Sequence, residues 1–200
     1  ISPPGCISQG EIFFEGRDLL RASEAEMRRL RGSQMSMIMQ EPKMSLNPVI
    51  RVGDQVAETL LIHDGSLTRR AARTKAVEML AGLGIPDAPL TARRYPHELS
   101  GGMAQRIMIA MMLVTQPKLL IADEPTSALD VTIQAQILEV MKSLIREIHT
   151  AVLLITHDLG VMAETCNRVA VMYAGGVVEI GPVRAVLKNP QHPYTQGLLR

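Results

Sequence analysis

Apolar positions recur along the chain with two different periods, and the change of period marks the elements. Over 52–62, Val52, Val56, Leu60 and Leu61 fall at helical spacing. Beyond a cap at Ser66 or Thr68, a second stripe of Ala72, Ala76, Val77, Leu80 and Leu83 follows, ended by Gly82, Gly84 and Pro86. Residues 103–114 predict a helix that is apolar all round at 107–112, hence buried on several faces. After Asp130, a good N-cap, Ile133 or Ile137 opens a series with Leu138, Met141, Leu144, Ile145 and Ile148, which predicts an amphipathic helix.

Shorter runs predict strands. Residues 119–122 are too few for a helix and follow Pro117, so they read as a buried parallel strand whose carboxyl end carries Asp123 and Glu124. Residues 151–155 read as a second buried strand, ending at Thr156-His157-Asp158. Strand, helix and strand make a βαβ unit, which brings Asp123, Glu124 and His157 to one sheet edge, where ligands of open α/β sheets collect. Residues 35–39 predict a further strand, stopped by Pro42. Ile12, Phe13 and Phe14 between Gly10 and Gly16 predict a short strand whose phenylalanines pack in the core. Residues 169–173 and 177–180 around Gly175-Gly176 predict an antiparallel hairpin.

Local polar patterns add caps and one anion site. Ser23 with Glu26 three residues on has the capping-box form, and Arg28, Arg29 and Arg31 read as a solvated face. Arg69, Arg70, Arg73 and Lys75 crowd the start of the second helix as a solvated face or a partner surface. His97, before a helix start and without a sequence-adjacent partner, reads as an orienting or surface residue. Ser100-Gly101-Gly102 places a hydroxyl and side-chain-free amides at a helix N-terminus, which suits an anion.

Composition narrows the classes. The 200 residues are ample for a core, and 46% apolar content with mean hydropathy +0.12 means a globular chain. A net charge of +1 and 2% aromatic residues leave neither an electrostatic footprint nor stacking platforms for nucleic acid. The longest apolar run, 107–114, is far short of the roughly 20 residues that span a bilayer, so a membrane role acts through a partner. Cys6 and Cys166 lack metal-like spacing and suit ordinary thiols in a reduced compartment, and the 13 methionines read as core filler. The chain starts at Ile1 with ISPPGC, which lacks the regions of a secretory signal, so a fragment is expected.

The order and spacing of LSGGM at 99–103, LLIADEP at 119–125 and SALD at 127–130 resemble the nucleotide-binding subunit of an ABC transporter, with its signature, Walker B strand and D-loop. That resemblance implies an α/β, P-loop NTPase-like (RecA-like) core with an inserted α-helical subdomain and its N-terminal part missing. Residues 1–42 would be the remainder of the core, 43–116 the helical subdomain with the signature, 117–188 the C-terminal part of the core, and 189–200 the start of a tail. It also implies ATP and Mg²⁺ as cofactors. Asp123 would meet the metal, Glu124 would be the general base, and His157, in the H-loop place, would sense the γ-phosphate. Gln40, as the Q-loop glutamine, would meet Mg²⁺ or the attacking water. Ser100, Gly101 and Gly102, with Gln105 in the same nucleotide-facing set, would close over the nucleotide of the opposite subunit, and Asp130 would cross the same interface.

Two departures qualify this. No G-x-x-x-x-G-K-[ST] occurs in the 200 residues, so the phosphate cradle and its lysine are not in this sequence. Ala104 stands where many relatives have a longer polar residue. The tail, Asn189-Pro190, His192-Pro193-Tyr194-Thr195 and Gly197-Leu198-Leu199, is similar to that of oligopeptide and dipeptide importer ATPases, as are 44–48 and Tyr95-Pro96-His97-Glu98. The implied partners are transmembrane permease subunits, a second ATPase subunit, identical or paralogous, and indirectly a solute-binding protein, with the chain at the cytoplasmic face of the membrane and no nucleic acid bound. Importers of nickel or another small solute, a non-hydrolysing docking or regulatory fragment, and a soluble ABC ATPase of DNA repair or translation are the alternatives.

Overall fold

A computed structural model describes residues 5, 7–39, 45–126 and 130–199. The chain opens with a two-stranded antiparallel ribbon, β1 (Phe13–Phe14) and β2 (Arg17–Asp18). This ribbon is short, and Phe13 is 62% exposed, so the expected core role of the phenylalanine pair fails for Phe13. Helix α1 (Glu24–Leu30) begins in the predicted capping box: Ser23 Oγ accepts the Glu26 amide at 3.3 Å and the Glu26 carboxylate accepts the Ser23 amide at 2.8 Å.

Strand β3 (Met35–Ile38) leads through a helical insertion of α2 (Val52–His63), α3 (Arg69–Gly82), α4 (Ala88–Thr91) and α5 (Gly101–Leu113) to β4 (Leu119–Asp123). The predicted stripes face inward: Val52, Val56 and Leu60 on α2, and Ala72, Ala76 and Leu80 on α3 are buried. Thr68 caps α3, accepting the Ala71 amide at 3.2 Å, while Ser66 turns back to Asp64. Helix α5 is buried on several faces through Ala104, Ile107, Met108, Ile109, Ala110 and Leu113, as its continuous apolar run predicts.

After β4 come α6 (Val131–Ile148), β5 (Ala151–Ile155), α7 (Leu159–Thr165), the strands β6 (Arg168–Tyr173) and β7 (Gly176–Pro182), and the short helices α8 (Val183–Lys188) and α9 (Pro193–Leu198). Strands β3, β4 and β5 form a parallel sheet in that order, with Ile38 opposite Ala122 and Asp123 opposite Ile155. One continuous core joins Ile38, Leu120 and Ala122 of the sheet to α2, α3 and α5 and to Ile137, Leu138 and Met141 of α6. Strand β5 is parallel as expected but not buried: Leu153 is 55% exposed, and among the described residues β5 pairs with β4 alone. β6 and β7 form the predicted hairpin. Its turn is Ala174-Gly175, both at positive φ, and Gly176 already belongs to β7.

The tail is fixed to this hairpin. The Glu179 carboxylate accepts the amides of Gln191 and His192 at 2.9 and 3.1 Å, and the Tyr173 and Tyr194 rings lie 4.5 Å apart. Among the described residues no helix is long and apolar enough to cross a membrane.

Candidate functional site

The parallel register puts the carboxyl ends of β4 and β5 side by side, and the polar residues that follow them meet there. Asp123 ends β4 on the same face as Leu119 and Ile121, the less buried one. Glu124 leaves the strand with φ +45°, a left-handed conformation uncommon outside glycine. Its amide donates to the Ile155 carbonyl at 2.9 Å, and its Oε1 lies 2.8 Å from His157 Nδ1. Glu124 is the shielded member of that pair, at 24% side-chain exposure against 77% for His157. Glu124 therefore lies in the turn beyond β4 and not on the strand itself.

The loop carrying His157 is itself braced. Both carboxylate oxygens of Asp158 are engaged: Oδ1 accepts the Gly160 and Val161 amides at 2.8 and 3.0 Å, capping α7, and Oδ2 accepts Gln134 Nε2 at 3.2 Å. The Val161 amide foremost holds this carboxyl below its ordinary range; burial opposes it next in size, and the Gly160 amide, Gln134 and the nearby His157 add to the lowering. The Asp158 amide closes the turn on Thr156 Oγ1 at 3.0 Å. The sequence places Asp158 at the end of the 151–155 run but assigns neither it nor Gln134 a bracing role. The capping pattern of an aspartate before Leu159-Gly160-Val161 is a signal for Asp158, whereas the partner of Gln134 is 24 residues away and leaves no local pattern.

The second predicted cluster sits at the start of α5. Ser100 is its N-cap, with Oγ accepting the Met103 amide at 3.3 Å, and Gly101 and Gly102 form its first turn. Asp130 caps α6, accepting the Ile133 amide at 3.0 Å, and is exposed. Gln105 has an internal partner. It is only 3% exposed and donates its Nε2 proton to the Pro125 carbonyl, so its amide is engaged inside the chain. The cause is its place one turn into a helix buried on several faces. His97 is exposed and stacks on Tyr95 with ring centroids 5.7 Å apart. Gln40 and residues 127–129 lie outside the described residues.

The ABC transporter family profile matches residues 2–127. The chain belongs to the ABC transporter family. It is 55% identical to the oligopeptide transport ATP-binding protein OppD of Bacillus subtilis over 98% of this chain and 55% of that protein. To the dipeptide transport ATP-binding protein DppD of the same organism it is 53% identical over 96% and 57%. To a putative peptide import ATP-binding protein of Brucella melitensis it is 55% identical over 98% and 59%. The chain thus spans somewhat more than half the length of these relatives. Among solved structures, the ATP-binding cassette MJ0796, as a dimer in a post-hydrolysis state bound to ADP and Pi, superposes with a TM-score of 0.78 at 26% identity, covering 88% of this chain and 75% of that one. The fold is that of the P-loop NTPase-like ABC cassettes, with its parallel sheet and helical insertion.

Glu124 and His157 thus come together at the carboxyl ends of β4 and β5, and Ser100 begins a separate capped helix. Among the described residues no group of three or more His, Cys, Asp or Glu could hold a metal ion by itself. That donor set still fits Mg²⁺, which is usually held by one or two carboxylates together with substrate phosphates.

Proposed function

We propose that the protein carrying this chain is the ATP-binding and hydrolysing subunit that energises peptide import through transmembrane permease subunits. The observation that carries the hydrolytic part is the Glu124 Oε1 to His157 Nδ1 contact of 2.8 Å beside Asp123, at the carboxyl ends of adjacent parallel strands. Mg²⁺ bound with ATP would supply the charge that offsets the transferring phosphoryl group. Asp123 would hold that ion. Glu124, shielded and oriented by its backbone turn, would accept the proton of the attacking water, and His157 would keep the carboxylate aimed while its other ring nitrogen faces the γ-phosphate. Ser100, Gly101 and Gly102 would offer a helix N-terminus to the nucleotide of a second ATPase subunit, identical or paralogous, with Asp130 at the same interface. The dimeric MJ0796 structure with ADP and Pi supports that arrangement.

The substrate class rests on the names of the peptide-transport relatives and on the tail held by Glu179. In this reading, residues 1–42 and 117–188 contribute the ATPase core, 43–116 the helical subdomain that docks on the permease, 189–200 the start of the importer tail, and the protein works at the cytoplasmic face of the membrane. The test is the full-length protein with Glu124→Gln. Turnover should fall by about 10²–10⁴-fold with ATP affinity retained, and turnover close to the parent's would remove Glu124 as the base.

A further inference from the structure

The geometry points to Gln105 as a positioning residue that ties the signature end of α5 to the Glu124-Pro125 turn, so that what binds at Ser100, Gly101 and Gly102 is felt at the base of the same chain. This rests on the hydrolytic reading above and adds to it a link between two nucleotide sites, since the signature and the base of one subunit would serve different nucleotides.

Three observations carry it. Glu124 holds φ +45°, and a non-glycine residue stays in that region only where its surroundings over-determine it. Two backbone anchors do so here. The Glu124 amide is bound by the Ile155 carbonyl of β5, and the Pro125 carbonyl receives the Gln105 side chain from α5. Pro125 has no N–H, so its carbonyl is the one backbone hydrogen-bonding group by which its residue can be held. Finally, Gln105 lies four residues after Gly101 on a 13-residue helix whose first turn is the signature, so a tilt of that end moves the Gln105 amide with it. Both Gln105 and Pro125 are buried, and water does not replace the lost partner cheaply. Without the strut the turn relaxes, and the carboxylate swings from the place where it meets His157 Nδ1.

The test uses the full-length protein, comparing the parent with Gln105→Met, which keeps volume and loses the donor, and with Gln105→Glu. In Gln105→Met, kcat should fall by about 10²-fold, the effect of a misplacement near 1 Å, with ATP affinity retained and Tm lower only by the few degrees that one unpaired buried carbonyl costs. The Glu124 amide should exchange with deuterium faster even without nucleotide. In Gln105→Glu, activity relative to the parent should recover as the pH falls, because the protonated carboxyl can donate to the Pro125 carbonyl as the amide does. An unchanged kcat, unchanged exchange at Glu124, or a loss shared equally by turnover, ATP affinity and Tm would each overturn the proposal. No turnover in the parent would instead sink the hydrolytic reading, and the exchange experiment would still decide whether Gln105 fixes the turn.

Discussion

Gly102 and Ile133 touch where α5 starts and α6 begins: a Cβ on Gly102 would stand 2.9 Å from Ile133 Cγ2. The glycine that the sequence offers as a phosphate-facing amide is therefore also the site where two helices pass closely. Ile133 is β-branched and stiff at χ1, so it cannot easily turn aside. Gly102→Ala should destabilise the protein by about 1–2 kcal/mol through overpacking. Ile133→Ala removes the obstructing methyl, and in the double variant most of that cost should disappear. A thermal-unfolding double-mutant cycle checks this, and additive effects would mean that the two residues are not in contact.

The cap of α3 gives a second comparison. The Thr68 hydroxyl accepts the Ala71 amide, whereas Ser66 is bonded to Asp64 one turn away from the helix. Thr68→Ala should cost about 1 kcal/mol and lower Tm by roughly 2–4 °C, and Ser66→Ala should stay within about 0.5 kcal/mol as an exposed change. Equal effects would assign the cap wrongly.

These two cases show what was legible in the sequence. The helical stripes on α2 and α3, the Ser23 capping box and the Asp130 cap depend on neighbours three or four residues away, and all of them are where the spacing puts them. The convergence of Glu124 and His157 was also legible, because a βαβ unit leaves few registers. What could not be read depends on partners distant in sequence. Phe13 is apolar but is 62% exposed on its two-stranded ribbon, and Leu153 is 55% exposed on β5, because covering either face needs elements distant in sequence. Gln105 turns inward because α5 is buried around its circumference, and its partner Pro125 is 20 residues away. Sequence pattern gives the period of a helix but not which polar residue on it finds an internal partner.

The pairing of Glu124 with His157 separates activity from stability. His157 is largely exposed, and exposed ion or hydrogen-bond pairs contribute only about 0–1 kcal/mol. His157→Ala should leave Tm within a few degrees of the parent while lowering ATP turnover of the full-length protein by about 10²-fold or more. Calorimetry and a phosphate-release assay on the same preparations check this. A large loss of Tm would make His157 a structural residue.

Asp158 supplies the pH dependence. Its carboxyl is held below its ordinary value of 3.8, first by the Val161 amide and further by the Gly160 amide, Gln134 and the nearby His157, with burial opposing as the second-largest influence. A carboxyl whose folded-state pKa is depressed adds stability that is fully present above its unfolded value and is lost as pH falls through the folded one. The contribution therefore stands at neutral pH and drains away below about pH 3.8. Asp158→Asn cannot change charge and accepts the two α7 amides less strongly. It should have a lower Tm than the parent at pH 7, and the gap should close as the pH is taken below 3.8. The same loss frees the loop that carries His157, so hydrogen exchange at the Gly160 and Val161 amides should accelerate in Asp158→Asn at pH 7. A Tm gap that persists unchanged into acid would show that the carboxylate's charge is not what braces the loop.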